Sequence, residues 1–247
     1  LSAGNNQSAT VGTAVTTDPA VLVRDAFNNP VSGVAVTFTV TGGAGTTTAP
    51  TSGNSINTDG SGLATIGSWT LGATAGTNTL AATVSGLSGS PVVFTATATA
   101  DAATTIAANA GGGETGTVNT AVATAPSVLV TDAGGNPVPG VAVTFAVTGG
   151  GGTISSPSGA VVTTNASGIA ALSSWVLGTT AGSNNNTVTA TSGSLSGSPV
   201  TFTSSATAGA ASQISLSAGN NQSATVGTAV TTDPAVLVRD AFNNPVS

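Results

Sequence analysis

The residues that could do chemistry in this chain are eight carboxylates and two arginines, Arg24 and Arg239. Lys, His and Cys are absent, so the chain lacks the usual general base, Schiff-base amine, thiol nucleophile and transition-metal ligands. The formal net charge of -6 also argues against the clustered positive charge that binds nucleic acid. The composition therefore predicts a protein that is not an enzyme, needs no cofactor and binds no nucleic acid.

Three of the aspartates recur at equivalent places, and each is followed by an Asn-Pro pair. They are Asp25 with Asn29 and Pro30, Asp132 with Asn136 and Pro137, and Asp240 with the same residues as Asp25 after it. A calcium site would need six to eight oxygens and several converging carboxylates. A glycosidase would need two acids facing each other across a cleft. Because the acids are scattered, we predict instead that these Asp, Asn and Pro residues stabilise turns, the Asp accepting backbone N–H groups.

These recurring acids belong to a repeated sequence. Residues 1–32 reappear letter for letter as 216–247, and an imperfect copy lies between them. The unit is roughly one hundred residues long, the size of one compact domain. We interpret the chain as a window from a longer tandem array. It contains a first repeat (1–101, whose first strand is expected to be truncated), a second (102–208) and the opening strands of a third (209–247).

The elements that must position these residues read as β-strands. Val34, Val36, Phe38 and Val40 alternate with small polar residues, which is the pattern of a half-buried strand. Further strands are predicted within the first repeat at 20–25, 63–69, 78–84 and 92–99. About seven strands per repeat and no helical periodicity predict an all-β fold of tandem antiparallel sandwiches arranged as an extended rod.

The large side chains divide into two predicted groups. One group consists of aromatic residues expected in the sandwich cores: Trp69, Trp175, Phe38, Phe145, Phe94 and Phe202. For the two tryptophans the alternative is an exposed ring that stacks on a ligand, but both lie between small and apolar residues. The other group is expected at the surface, in contacts between repeats or chains or in simple loop packing: Leu22, Phe27, Leu129, Leu237 and Phe242.

Several of these motifs together resemble the bacterial immunoglobulin-like domain group 1, of the invasin and intimin type. The motifs run in order from Asp25-Ala26 with Asn29-Pro30, through Trp69 with Leu71-Gly72 and Ala75-Gly76, to Phe94. The second repeat has the same order but carries Asn165 in place of Asp59. The resemblance implies an immunoglobulin-like sandwich used as a rod segment or spacer in bacterial surface proteins, with no catalytic residues.

Repetition and resemblance together predict a structural segment of a long extracellular fibre or bacterial cell-surface rod. Its expected partner is itself, through neighbouring repeats and other copies of the same chain. The near-absence of charge, at 4% of residues, lets like surfaces pack with little repulsion. No run approaches the length of a membrane span, so no membrane insertion is expected in this segment. The alternative is a stalk or binding segment of an adhesin that recognises a host ligand.

Overall fold

The computed structural model describes residues 1–48, 54–156 and 159–247. These residues form β-strands and include no helix that could cross a membrane. They make two compact units. Unit 1 consists of Leu1–Ala103 with Thr131–Val138, and unit 2 consists of Thr104–Val130 with Pro139–Ser247. Unit 1 thus combines the first repeat with a short turn region from the second. The repeat boundaries at 101 and 208 remain predictions.

The first repeat, in unit 1, is built from short strands. In its described part these are β1 (Gln7–Thr10), β2 (Ala20–Leu22), β3 (Ala35–Gly42), β4 (Thr46–Thr48), β5 (Ser55–Asn57), β6 (Leu63–Thr65), β7 (Ser68–Thr70), β8 (Gly76–Thr83) and β9 (Val92–Thr99). One sheet has the order β1-β9-β8-β3-β5, while β2 pairs with β6 and β4 with β7. Side chains from the large sheet and from the strand pairs meet in one core.

The core follows from the alternation in β3. Val36 and Phe38 are buried while Ala35, Thr37 and Thr39 are exposed, because successive side chains point to opposite faces of a strand. Phe38 and Phe94 pack with their ring centroids 6.4 Å apart and their planes tilted by 34°. The predicted all-β immunoglobulin-like fold is confirmed.

The predicted single strand over 63–69 is wrong. The chain instead forms β6, which pairs with β2, and β7, which pairs with β4, so it changes partner between the two. Gly67 lies between the two strands, where a Cβ would come within 2.9 Å of the Thr48 carbonyl oxygen. The hydrophobic pattern runs through this change because both short strands bury side chains in the same core.

The edge strands β1, β4 and β5 were not predicted. They are short and carry Thr, Ser and Asn rather than alternating apolar residues. β1 also runs parallel to β9, with Gln7 opposite Ala96, whereas an antiparallel sandwich was expected. The direction of an edge strand depends on the path of the chain into the sheet. The residue types of the strand therefore do not predict whether it runs parallel or antiparallel to its neighbour.

The second repeat has the same plan in unit 2. Its described strands are β10 (Thr105–Ala110), β11 (Glu114–Thr117), β12 (Ser127–Thr131), β13 (Ala142–Gly149), β14 (Thr153–Ser155), β15 (Val161–Thr163), β16 (Ile169–Ala171), β17 (Ser174–Val176), β18 (Gly182–Thr191) and β19 (Val200–Thr207). The large sheet has the order β11-β19-β18-β13-β15, and a three-stranded sheet has the order β10-β12-β16. The third repeat adds the antiparallel pair β20 (Ala211–Ala218) and β21 (Ala235–Asp240).

Candidate functional site

The site begins with the predicted Asp-Asn turn. Among the described residues of the first repeat, the side-chain hydrogen bonds of Asp25 and Asn29 stay within the turn itself. The Asp25 carboxylate accepts the backbone N–H of Phe27 at 2.9 Å and of Asn29 at 2.8 Å. The Asn29 side-chain amide donates to the second carboxylate oxygen of Asp25 at 3.0 Å. Asn28 has a φ of 72° within this turn, a left-handed conformation that Asn and Gly tolerate. Asp25 and Asn29 are both exposed.

In unit 1 the same turn from the second repeat is docked. Asp132 and Asn136 are buried and keep the internal bonds, since the Asp132 carboxylate accepts the N–H of Gly134 and of Asn136, each at 2.8 Å. The Asn136 carboxamide additionally binds the backbone of a loop in the first repeat. It accepts the Ala75 N–H at 2.8 Å and donates to the Ala73 carbonyl at 3.1 Å.

In unit 2 the turn of the third repeat makes the same arrangement. Asn244 accepts the Ala181 N–H at 2.8 Å and donates to the Thr179 carbonyl at 2.9 Å. Asp240 and Asn244 are buried, although the sequence of this turn is identical to that around Asp25 and Asn29. Docking, and not the turn sequence, therefore determines the burial of the pair.

The receiving loop, defined as residues 71–76 in the first repeat and 177–182 in the second, is held from within its own sandwich. The fully buried Asn78 accepts the Gly72 N–H at 3.0 Å, and Asn186 accepts the Gly178 N–H at 2.7 Å. A Cβ at Gly72 would collide with the Gly43 carbonyl oxygen, so only glycine fits there. The loop backbone is thus held by contacts within its own sandwich as well as by the turn.

The linker supplies a further contact through its backbone. The second carboxylate oxygen of Asp132 accepts the Asp101 N–H at 3.0 Å, and that of Asp240 accepts the Gly209 N–H at 2.8 Å. Asp101 and Gly209 occupy the same place in the two linkers, after Thr99-Ala100 and Thr207-Ala208. The Asp101 carboxylate is immaterial to this bond, because the donor is an N–H that both Asp and Gly provide.

The electrostatics favour the ionised aspartates. Desolvation opposes the charge of Asp240, but hydrogen bonds from Asn244, Gly209 and Phe242 outweigh it and lower the Asp240 pKa to about 2. For Asp132, desolvation is likewise outweighed by donors from Asn136, Asp101 and Gly134, and the pKa is lowered. In the undocked turn the pKa of Asp25 is lowered mainly by the Asn29 side chain and backbone.

The same N–H donors argue against a calcium site at these aspartates. Both carboxylate oxygens of Asp132 and of Asp240 face N–H groups, which a cation would have to replace. Within the described ranges no group of three or more His, Cys, Asp or Glu side chains is arranged to hold a metal ion. What this arrangement can do chemically is hold two segments of chain together.

The other predicted residues fall into two environments. The predicted core residues Trp69, Trp175, Phe38, Phe145, Phe94 and Phe202 are all at most 2% exposed. Of the predicted contact residues, Leu22, Leu129 and Leu237 are half-buried. Phe27 is 86% exposed and its counterpart Phe242, beside the docked turn, is 43% exposed. Their role in contacts between repeats or chains remains a prediction.

Sequence reasoning missed the receiving loop as a binding site. The loop contacts the turn through backbone atoms of Ala73, Ala75, Thr179 and Ala181. Because every residue type has these atoms, the sequence does not identify them as a binding site. The available signal was indirect. The Leu-Gly-x-x-Ala-Gly sequence is present in the first and the second repeat, and an Asp-x-x-x-Asn turn follows each of them in the next repeat.

Comparison with known proteins supports the fold. No family model and no curated protein matches the sequence significantly. Among solved structures, the chain is similar to FdeC, described as an Escherichia coli adhesin, with 22% identity, 98% of this chain and 74% of that chain covered, and a TM-score of 0.63. It is also similar to InvD of Yersinia pseudotuberculosis, with 18% identity, coverage of 97% and 69%, and a TM-score of 0.58. The chain therefore has the immunoglobulin-like β-sandwich fold of these bacterial proteins.

Proposed function

We propose that this chain is a structural segment of a long bacterial cell-surface rod or extracellular fibre, in which successive sandwich repeats supply length and spacing. One observation carries the proposal. The Asp-Asn turn of one repeat docks on the receiving loop of the repeat before it, with the same side-chain-to-backbone bonds in unit 1 and in unit 2. A joint repeated in this way couples each repeat to the next and limits how freely the linker can swing.

The rest of the chemistry agrees with a mechanical role. The carboxylate oxygens of Asp132 and Asp240 accept hydrogen bonds from backbone N–H groups, so these acids are poor candidates for proton transfer. The surface carries little charge, which keeps repulsion between like segments small. We therefore propose a non-catalytic protein located outside the cell, in repeats 1–101, 102–208 and 209–247, that associates with further copies of itself.

The second candidate is an adhesin stalk or binding segment. Its support is the fold shared with FdeC, which is described as an adhesin. A binding segment needs a surface that differs from its neighbours, whereas residues 1–32 recur without change as 216–247. The spacer role therefore explains the repetition more directly.

The test is small-angle X-ray scattering on this chain and on a version lengthened by one further copy of residues 33–247, so that a whole sequence period is added. A rod segment predicts that the maximum dimension grows in proportion to the added repeats. It also predicts that Asn136→Ala with Asn244→Ala broadens the distance distribution, while Asn29→Ala, at the undocked turn, does not. A maximum dimension that fails to grow would contradict the proposal. Electron microscopy of native material would then separate filaments from single rods that end in a distinct head.

A further inference from the structure

In each large sheet a strand from the start of the repeat lies beside the last strand of the repeat, and the two run in the same direction. β1 pairs with β9 over four residues, and β11 pairs with β19 over four residues. In the second repeat this pairing runs from Glu114 opposite Ser204 to Thr117 opposite Thr207. We call each of these two strand pairs a closing ladder, because it joins the two ends of one repeat.

Further hydrogen bonds extend the closing ladder of the second repeat. The Gly113 N–H donates to the Thr203 carbonyl and the Val118 N–H donates to the Thr207 carbonyl, each at 2.9 Å. The Thr207 hydroxyl also donates to the Gly116 carbonyl at 3.2 Å. In the first repeat the matching backbone bonds run from the N–H groups of Asn6 and Val11 to the carbonyls of Thr95 and Thr99, at 2.8 and 2.9 Å.

The direction of the strands determines how tension acts on the closing ladder. In the proposed tandem array, tension along the chain enters the second repeat through the linker before β10 and leaves it after β19. It therefore pulls β11 toward its first residue, Glu114, and β19 toward its last residue, Thr207. Because the two strands are parallel, these pulls slide one strand along the other, and the hydrogen bonds of the ladder are loaded together.

The strand that precedes β11 belongs to the other sheet. β10 pairs with β12, whereas β11 pairs with β19. The two are joined by residues 111–113, three glycines of which Gly111 and Gly113 have φ values of 86° and 73°, a conformation that glycine adopts without steric cost. Release of β10 from β12 would therefore lengthen the chain only at residues 104–113 and leave the closing ladder in place.

The closing ladder shields the rest of the repeat from tension. Residues 118–203 lie between β11 and the ladder residues of β19 along the chain, so they carry no load while the two strands stay paired. This stretch includes the core residues Phe145, Trp175 and Phe202, which are at most 2% exposed. The core can therefore be pulled apart only after the ladder has opened.

We propose that the closing ladder is a load-bearing clamp, which keeps each repeat folded when the rod is under tension along the chain. The inference rests on the proposed function, because it adds resistance to stretching to the length and spacing that the repeats supply. The resistance of such a clamp depends on the rate at which it opens under force. The same ladder pulled sideways should open one hydrogen bond after another and resist less.

The test pulls the same ladder in two directions with optical tweezers. Thr117→Cys and Thr207→Cys are combined in one chain, which has no cysteine of its own. Both positions are exposed and lie opposite each other at one end of the ladder. Handles on the two ends of the chain load the ladder by sliding, whereas handles on the two cysteines pull its strands apart sideways. Opening the ladder releases residues 118–206 in both cases, which is about 300 Å of extended chain.

We expect the force that opens the second repeat to be at least about twofold higher between the chain ends than between the cysteines at the same loading rate. Both directions use the same protein, so any loss of stability caused by the substitutions affects both measurements. A disulfide between the two cysteines should remove one of the events of about 300 Å seen between the chain ends, which identifies the event of the second repeat. Equal forces in the two directions, or a lower force between the chain ends, would overturn the proposal.

Asn136→Ala serves as the matched control for the joint. It removes the bonds to Ala73 and Ala75 but no bond of either closing ladder, so the opening force between the chain ends should not change. A force that falls with Asn136→Ala would assign the resistance to the joint and contradict the clamp. Scattering that contradicts the rod segment would leave the dependence of force on direction unaffected, so the two proposals fail separately.

Discussion

Asn244 donates its side-chain amide to the Asp240 carboxylate at 2.9 Å, and the identical pair Asn29 and Asp25 makes the same bond at 3.0 Å. The first pair is buried and the second is exposed. Because the internal bond is the same, the turn is formed before it docks and loses little conformational entropy when it does. The chain therefore contains its own undocked control for each prediction about the joint.

Truncation of the docked asparagine should weaken the joint in unit 1. Asn136→Ala leaves the Ala75 N–H and the Ala73 carbonyl without their partner, and an unsatisfied buried group costs about 1–3 kcal/mol. Amide hydrogen exchange of Ala75, followed by NMR, should accelerate accordingly. Asn29→Ala should leave the Ala75 rate unchanged, and equal rates in all three proteins would show that the bond does not hold the joint.

Acid should open the joint in unit 2. Hydrogen bonding to the ionised form lowers the Asp240 pKa from 3.8 to about 2. A lowered folded-state pKa means that the contribution is complete above the ordinary value and is lost as the pH falls through the folded value. The Gly209 and Ala181 amide resonances should therefore change between about pH 4 and pH 2. Asp240→Asn should flatten this titration, and a midpoint near 3.8 would contradict the assigned hydrogen bonds.

The buried indole N–H group of Trp69 predicts that replacement by phenylalanine costs little stability. Within the described residues the Trp69 Nε1 atom has no hydrogen-bond partner, so Trp69→Phe removes no bond. We expect Trp69→Phe to change the free energy of unfolding by less than about 1.5 kcal/mol, and Trp69→Ala to lower it by about 3–5 kcal/mol. Urea denaturation followed by circular dichroism measures both. A cost for phenylalanine as large as that for alanine would indicate that the N–H is satisfied in solution.

The turn before β6 should accept a neutral residue. Asp59 accepts the N–H of Ser61 at 2.8 Å and of Leu63 at 3.0 Å, and Asn165 does the same for Ser167 and Ile169 at 2.9 and 3.1 Å. Asp59→Asn should therefore change stability by less than about 0.5 kcal/mol, whereas Asp59→Ala should cost about 1 kcal/mol. Thermal unfolding of the three proteins compares them, and equal losses for Asn and Ala would refute the shared role.

The phenylalanine beside the turn offers a matched pair. Phe242 is half as exposed as Phe27 although the surrounding sequence is the same. If Phe242 packs in the joint, Phe242→Ser should accelerate exchange of the Ala181 amide, and Phe27→Ser should not affect it. Exchange that is unchanged by both substitutions would leave these rings without a part in the contact.

The sequence predicted what depends on side-chain type. Alternation located β3, the recurring Asp and Asn located the turns, and the apolar context of Trp69 pointed to a core position. It did not predict the split between β6 and β7, because both halves bury residues in the same core. It also did not predict the docking of Asn136, because the partners are the backbone atoms of Ala73 and Ala75.

The role of Asp101 shows the same limit from the other side. Its carboxylate has no counterpart at Gly209 in the next linker, whereas its N–H makes the same bond to Asp132 that the Gly209 N–H makes to Asp240. The two linkers therefore differ in side chain at this position but make the same backbone contact in the structure.

The backbone nature of the receiving loop also bears on how such an array can change over generations. The joint needs an Asp and an Asn in one repeat but only main-chain atoms in the repeat before it. Repeats with different sequences can therefore form the same joint, as the equivalent carbonyl oxygens of Ala73 and Thr179 show. In the proposed tandem array, genetic recombination between near-identical stretches would add or delete whole repeats without creating a mismatched joint, and the length of the array would change while each junction stayed the same.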